Sequence, residues 1–469
     1  MSVEKALTEL ETFLGQRLSR SKPDLDQHGG SESHFPLSPP DAVAYPETSP
    51  EVAQILQICA KHGCPVIGWG AGTSLEGQAQ AFGGGVSVDF RLLNRVLQIN
   101  QADMDVVVQP GVTREDLNTQ LRATGLFFPV DPGANATLGG MASTRASGTT
   151  AVRYGTMRDN VMALEVALSD GRVIRTGTRA RKSSAGYDLT SLFVGAEGTL
   201  GLITELTLRL HGQPEAVTAA VCAFERIGDA VETVIETIQM GIGMARIEFV
   251  DAATAAAFNA YKGSDLPECP HLMVEFHGSE TGVREQAETF GEIARDHGAQ
   301  GFEWAERPEE RTALWTMRHH AHWAILASRP GARAIVTDIC VPISRLAEAV
   351  EQTRADIEAS PITGPILGHV GDGNFHSILL FDDADPEQAA AAKDLSARMI
   401  ERALAMGGTA TGEHGIGVGK LDYMAPEHGA AWSVMKALKS AMDPAGIMNP
   451  GKMVPAATPA IEAGSLPAK

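Results

Sequence analysis

Cys64-Pro65-Val66-Ile67 runs directly into Gly68-Trp69-Gly70-Ala71-Gly72-Thr73-Ser74. An apolar run that feeds a loop with glycine at every second position reads as a strand followed by a tight turn. Glycine there lets the backbone approach a ligand and present successive N–H donors to phosphate oxygens. The spacing is not G-x-G-x-x-G, so a nicotinamide-type dinucleotide site is not supported. Taken alone, the loop reads equally well as a glycine-rich strand turn.

Outward from this loop, short apolar runs alternate with glycine clusters at Val86–Phe90, Val106–Val108, Val161–Leu168, Val173–Arg175 and Ile203–Leu210. That pattern predicts a strand-rich unit with interspersed helices. Upstream, Val3 to Leu18 has helical spacing, and Ser21 to Pro46, rich in Pro, Ser, Asp and Gly, reads as an extended lead-in. After Gly212 the texture changes. Helices are expected at Ile227–Met240, Val283–His297 and Pro386–Met406, the last opened by proline. Strands are expected at Ala245–Phe249, His271–Phe276 and Ala334–Val341. Such alternation suggests α+β architecture on an antiparallel sheet. Residues after Ala456 read as a tail.

A chain of 469 residues exceeds one simple core and implies two or three domains. The net charge of −20 argues against nucleic acid as a partner. It leaves room for an anionic cofactor, because backbone N–H groups hold a pyrophosphate without Lys or Arg. The five cysteines, Cys59, Cys64, Cys222, Cys269 and Cys340, form no zinc-like set and read as reduced thiols in a reducing compartment. The first residues carry acids rather than a signal-peptide pattern. No stretch of ~18 apolar residues suggests a membrane span.

Asp131-Pro132-Gly133, Gly139-Gly140-Met141-Ala142-Ser143, Ser147-Gly148-Thr149 and Arg153-Tyr154-Gly155-Thr156 form a long tract of small and polar residues. Such density suggests backbone wrapped closely around a large planar ligand, with tight structural packing as the plainer alternative. Gly195-Ala196-Glu197-Gly198-Thr199-Leu200-Gly201-Leu202-Ile203-Thr204 repeats the pattern.

Gly368-His369-Val370-Gly371-Asp372-Gly373-Asn374-Phe375-His376 is sharper. Asp-Gly between apolar runs signals a two-residue hairpin turn. In that register Gly371 faces Asn374, and His369 faces His376 with Cβ atoms about 5 Å apart. Two imidazoles so placed can share a divalent metal at ~2.0–2.2 Å; the bland alternative is a pair of hydrogen-bonded histidines. Thr411-Gly412-Glu413-His414-Gly415 supplies a third, hard ligand in Glu413 and a candidate general base in His414. Gly419-Lys420 is not a P-loop, since Leu421 follows where Ser or Thr is required.

Together these residues resemble the vanillyl-alcohol-oxidase type of FAD enzyme, in the branch of cytochrome-linked D-lactate dehydrogenases and the flavin subunit of glycolate oxidase. The likeness is colinear from about Val43 to Met453. It rests on Leu314-Trp315-x-x-Arg318-His319, on Thr337-Asp338-Ile339-Cys340-Val341-Pro342-Ile343-Ser344, on the two histidine motifs, and on Met442-Asp443-Pro444 through Asn449-Pro450-Gly451-Lys452. The resemblance implies a two-subdomain PCMH-type FAD-binding domain and an antiparallel-sheet cap. The expected divisions are 1–35 (N-terminal helix and lead-in), 36–212 (FAD-binding domain), 213–442 (cap) and 443–469 (a segment returning to the FAD domain, with tail).

It further implies FAD contacts from Gly68, Gly70, Ala71, Gly72, Thr73, Ser74, Asp131, Pro132, Gly139, Gly140, Ser143, Gly148, Arg153, Tyr154, Gly155, Glu197, Gly198, Gly201, Ile203 and Asn449. Some relatives tether the flavin through a histidine in the first glycine loop. None stands there, so non-covalent FAD is expected. His369, His376 and Glu413 would hold zinc or manganese, His414 would take the hydroxyl proton, and hydride would pass to flavin N5. Arg318 would bind the carboxylate of a D-2-hydroxy acid, with His322 and Asn374 as further substrate contacts.

Relatives acting on D-2-hydroxyglutarate carry a lysine where this chain has Val336, which favours a monocarboxylate such as D-lactate. The activity of a glycolate oxidase flavin subunit, or of a D-2-hydroxyglutarate dehydrogenase, is the alternative. A metal-dependent hydrolase is the rival from another class. A redox acceptor (quinone, cytochrome c or electron-transfer flavoprotein) is the implied partner. A homodimer and peripheral contact with an inner membrane are left open. The expected location is cytoplasmic.

Overall fold

The computed structural model describes residues 2–305 and 307–456. The tail expected after Ala456 lies outside the described residues. Three main sheets organise the chain. In the first, Ala42–Ala44 and Val66–Trp69 flank Val86–Asp89 in parallel, and Leu18–Ser19 closes one edge antiparallel. Parallel strands need a crossover, and helix Ser49–His62 supplies it. Thr48 caps its first turn, Pro50 stands near its start, and Gly63 ends it in the left-handed conformation. Val52, Ile55, Leu56 and Cys59 on this helix pack with Leu7 and Leu10 of helix Val3–Leu14.

The second sheet is antiparallel, in the order Val96–Asn100, Asp105–Val108, Leu202–Arg209, Val161–Ala167, Val173–Arg175. Val96–Asn100 escapes sequence reading because its Gln98 and Asn100 interrupt the apolar run at an exposed edge. The third sheet follows Gly212. It runs Gln300–Ala305, Ala216–Ala223, His271–Gly278, Met244–Val250, Ile366–Gly368, Asn374–Phe381, Arg333–Val336, every pairing antiparallel. Helices Ile227–Gln239, Glu280–Asp296, Leu346–Glu358 and Pro386–Ala405 contribute to the core on one face. The architecture is α+β, as expected.

Three expectations are corrected. Ser21 to Pro46 is not extended throughout: helix Lys22–Gly29 forms, because Ser21 accepts from the Asp24 N–H and Pro23 suits a first turn. Ala334–Val341 is two strands, Arg333–Val336 and Ile339–Cys340, parted at Thr337-Asp338. The two-residue hairpin does not form either. A 3₁₀ turn over Val370–Asp372 intervenes, Gly373 takes a left-handed φ of 76°, and His376 pairs with Leu367 rather than with His369. The Val341 carbonyl occupies the space beside Gly373, where a Cβ would lie 2.1 Å from its oxygen. A third strand segment, Ile339–Cys340, thus docks beside the turn and lengthens it. All five cysteines are free thiols. Among the described residues no helix is long and apolar enough to cross a membrane.

Candidate functional site

Two cavities adjoin, with Thr73, Pro132, Glu413 and His414 in the walls of both. The first is walled by the loop leaving strand Val66–Trp69, by the segment around Pro132 to Ser147, and by Glu197 and Gly198. Of the residues expected to touch a flavin, Gly68, Gly70, Ala71, Gly72, Thr73, Ser74, Pro132, Gly139, Gly140, Ser143, Glu197, Gly198, Ile203 and Asn449 line it. At Gly70 an added Cβ would sit 2.3 Å from Thr137 Oγ1, so only glycine lets these two loops interlock. A cavity with mainly apolar walls and glycine backbone suits a dinucleotide with a planar ring.

Six expected contacts lie elsewhere. Asp131 lines the neighbouring cavity. Gly148 abuts the Asp131 backbone, and Gly201 packs on Val166 and Ala167. Arg153 donates to the Gly243 carbonyl and Tyr154 Oη lies 2.7 Å from His277 Nδ1, so both join the first part of the chain to the third sheet. Gly155 sits against Asp159. The glycines there pack within the first part of the chain, while Arg153 and Tyr154 tie it to the third sheet.

The far end of the chain closes the first cavity. Asn449 Nδ2 donates to the carbonyls of Gln78 (3.0 Å) and Glu197 (2.7 Å). Met448 bridges to Val66, beside the strand that feeds the glycine loop. Buried Glu197 accepts from the Ile416 and Gly417 N–H groups at 2.6 and 2.9 Å. Burial pushes this carboxyl up, and those two donors oppose the shift. Burial likewise pulls the Lys452 amine down to about 7, although it donates to Asn449 Oδ1 at 2.7 Å.

The second cavity holds the histidine motifs. His369 and His376 do come together, with ring centroids 5.4 Å apart, despite the altered register. Glu413 Oε1 lies 3.1 Å from His369 Nε2 and 3.4 Å from His376 Nε2. Ligand atoms of all three residues fall within 4.8 Å of one another. Each imidazole is oriented from behind: His369 Nδ1 meets Glu248 Oε1 at 2.7 Å, and His376 Nδ1 meets the Thr337 carbonyl at 3.0 Å. A donor engaged at Nδ1 leaves the Nε2 lone pair facing inward, which is how metal-binding histidines are held. Glu413 Oε2 is buried without a hydrogen-bond partner. A buried bare carboxylate oxygen costs free energy, and a divalent cation would satisfy it. The three residues therefore could hold one. Asp338, His376 and His414 also cluster. However, Asp338 Oδ2 already accepts from Thr411 Oγ1 and the Glu413 and His414 N–H groups, and Oδ1 from Asn374.

Those bonds from Asp338 fix the loop that carries Glu413 and His414. Burial opposes its charge, yet His414, Lys420 and His376 hold its carboxyl well below the usual range. Burial also pushes the His414 imidazole down to about 4, so it stands neutral, and its Nδ1 has no partner. For His369 burial pulls downward, but Glu248 and Glu413 raise it well above the ordinary value.

Arg318 is buried and forms a 2.6 Å ion pair with Glu248 Oε2, while its Nε finds no hydrogen-bond partner. His322 lines the same cavity, and burial lowers its imidazole. Val336, Leu367 and Ile378 give that cavity an apolar wall. Asn374 is placed differently from the expectation: its amide donates to Asp338 and to the Ile339 carbonyl, and it does not line the cavity.

Sequence reading missed Glu248 and the role of Asp338. Glu248 is an acid inside the expected strand Ala245–Phe249, and that mismatch was the available signal. Asp338 stood within a quoted motif, but only the fold reveals that it gathers four donors.

Comparison with known proteins matches residues 213–453 to the family described as FAD linked oxidases, C-terminal domain, and residues 40–177 to the FAD binding domain family. A probable mitochondrial D-lactate dehydrogenase of Danio rerio is 47% identical over 97% of this chain and 92% of its own length. A mitochondrial D-lactate dehydrogenase (cytochrome) of Arabidopsis thaliana is 44% identical over 96% of this chain and 80% of its own. Among solved structures, an alkyldihydroxyacetonephosphate synthase superposes with a TM-score of 0.77 at 20% identity, covering 96% of this chain and 88% of its own. That likeness concerns the fold alone. The expected cytoplasmic location is overturned, because both relatives are named as mitochondrial.

Proposed function

The chain belongs to the FAD-linked oxidases, and on that premise we propose that it oxidises a D-2-hydroxy acid, D-lactate foremost, to the 2-oxo acid. One observation carries the reading: Glu413 and His414 line both cavities at once. A substrate beside Arg318 would then have its reacting carbon at the boundary with the flavin.

FAD bound in the first cavity supplies a two-electron acceptor for the C2 hydride. The glycine loop at 68–74 and the Gly139–Ser143 segment would cradle it without a covalent tether. In the second cavity, His369, His376 and Glu413 would hold a divalent cation, zinc or manganese, whose Lewis acidity lowers a hydroxyl pKa. His414 is neutral and has a free ring nitrogen, so it takes the hydroxyl proton. Arg318 meets the carboxylate with its planar fork. Val336, Leu367 and Ile378 receive the side chain, which favours a methyl group over a second charge. Two polar anchors and a fixed flavin face admit one hand at C2. The reduced flavin would pass its electrons to a cytochrome-type carrier, the acceptor that the name of the Arabidopsis thaliana relative gives for that protein.

The test is anaerobic mixing of the oxidised holoenzyme with D-lactate, L-lactate or D-2-hydroxyglutarate. Rapid bleaching of the flavin band by D-lactate alone is the expected result. Faster bleaching by L-lactate, or none by any 2-hydroxy acid, would overturn the proposal.

A further inference from the structure

A 2-hydroxy acid carries its carboxylate and its hydroxyl on adjacent carbons. The protein groups that receive them must therefore keep a fixed separation, or one anchor works against the other. Arg318 comes from helix Pro308–His319 and His369 from the turn after strand Ile366–Gly368, elements distant in sequence. One side chain touches both. Glu248 is completely buried on strand Met244–Val250. Its Oε1 lies 2.7 Å from His369 Nδ1, and its Oε2 lies 2.6 Å from Arg318 Nη2. The neighbouring Phe249 pairs with Gly368, the residue preceding His369, so the backbone sets the same spacing.

We infer that Glu248 is the positioning residue that sets the distance between the carboxylate-binding Arg318 and the metal-binding His369, so that one mutation detunes both anchors. The inference rests on the proposed function above. Two physical effects act together. The carboxylate engages the Nδ1–H of His369 and so keeps its Nε2 directed toward Glu413 and His376. Its charge offsets that of Arg318, whose guanidinium is held at 2.6 Å by Oε2. The pairing uses Nη2, while Nε is buried without a hydrogen-bond partner and the residue lines the second cavity. The alternative is that Glu248 merely neutralises a buried arginine, as many core ion pairs do. That alternative predicts lost stability with unchanged metal and substrate affinity.

The test compares Glu248→Gln with Glu275→Gln in the full-length holoenzyme. Glu275 is a buried acid on the adjacent strand that contacts His277, Trp315 and Arg246 instead. Divalent-metal affinity is measured by titrating metal-stripped protein with Mn²⁺ and Zn²⁺; KM and kcat for D-lactate and FAD content are measured alongside. Glu248→Gln should weaken metal binding roughly 10–100-fold and raise KM for D-lactate several-fold with FAD content unchanged. Glu275→Gln should lower Tm and leave metal affinity alone. If Glu248→Gln does not fold, Glu248→Asp keeps the charge on a shorter stem that cannot span both partners, and the same two losses are expected in smaller measure. Wild-type metal affinity and KM in a folded Glu248 variant would overturn the inference while the proposed function stands. A wild-type protein that holds no metal, or does not oxidise D-2-hydroxy acids, would overturn both.

Discussion

His376 and His414 lie face to face, with ring centroids 5.0 Å apart and planes 8° from parallel. The stack fixes the His414 ring while Asp338 fixes its backbone, so its unpartnered Nδ1 has one orientation. A cation on the His376 side disfavours a second charge on His414, in line with the neutral state imposed by burial. A neutral, oriented and unpartnered imidazole is a proton acceptor in waiting.

Replacing His414 with Ala should therefore lower kcat by roughly 10²–10⁴-fold, the usual weight of a general base. FAD and metal content should stay at wild-type levels. Anaerobic single-turnover bleaching separates this from a slow acceptor step, and an unchanged bleaching rate would remove His414 from the role.

The three-residue ligand set should behave as a unit. His376→Ala or Glu413→Ala should abolish stoichiometric divalent metal and most turnover, with flavin retained. Elemental analysis that finds one metal per chain in either variant excludes the set.

Arg318→Lys retains charge but loses the fork. A lysine can face Glu248 or a substrate carboxylate, and not both with the same geometry. The variant should lose on the order of 2–4 kcal/mol in kcat/KM. A loss below tenfold in steady-state assays with a dye acceptor would mean that the carboxylate binds elsewhere.

Val336 stands on the apolar wall where a dicarboxylate would need a cation. D-2-hydroxyglutarate should be a poor substrate beside D-lactate. Val336→Lys should shift the ratio of their kcat/KM values toward the dicarboxylate by about 1–3 kcal/mol. Competition between the two acids provides the measurement, and a native preference for D-2-hydroxyglutarate would contradict the reading of this wall.

No histidine stands in the glycine loop at 68–74. Acid precipitation should release all of the yellow colour into the supernatant; colour in the pellet would mean a covalent flavin.

How far the sequence could be read varies with the physical cause. Strands such as Val161–Ala167 and helices such as Pro386–Ala405 carry their own period and turn signals, and the chain folds there as read. The histidine pair was legible for an imperfect reason. Asp372-Gly373 does mark a turn, but a docked segment at Ile339–Cys340 sets its register, and such a tertiary partner leaves no trace in a local pattern. Arg153 and Tyr154 bond to Gly243 and His277 rather than line the first cavity, and glycine and polar residues that make such packing contacts look in sequence like those that wrap a ligand. Glu248 was invisible as a bridge because its partners lie 70 and 121 positions away.

The closure of the first cavity bears on how the chain comes to be folded at all. Gln78 meets His414 across 336 positions, Asn449 meets Gln78 across 371, and Lys452 meets Gln80 across 372. Contacts of such long range form late, since the entropy of closing the intervening loop must be met first. During synthesis the cavity stays unfinished until the segment through Lys452 has left the ribosome. On that order, flavin capture is expected at the end of maturation, and a fragment lacking the Asn449 segment should not retain FAD. Run backward, the same order makes the Asn449 segment an early point of release on heating, so that loss of yellow colour should precede loss of helical signal.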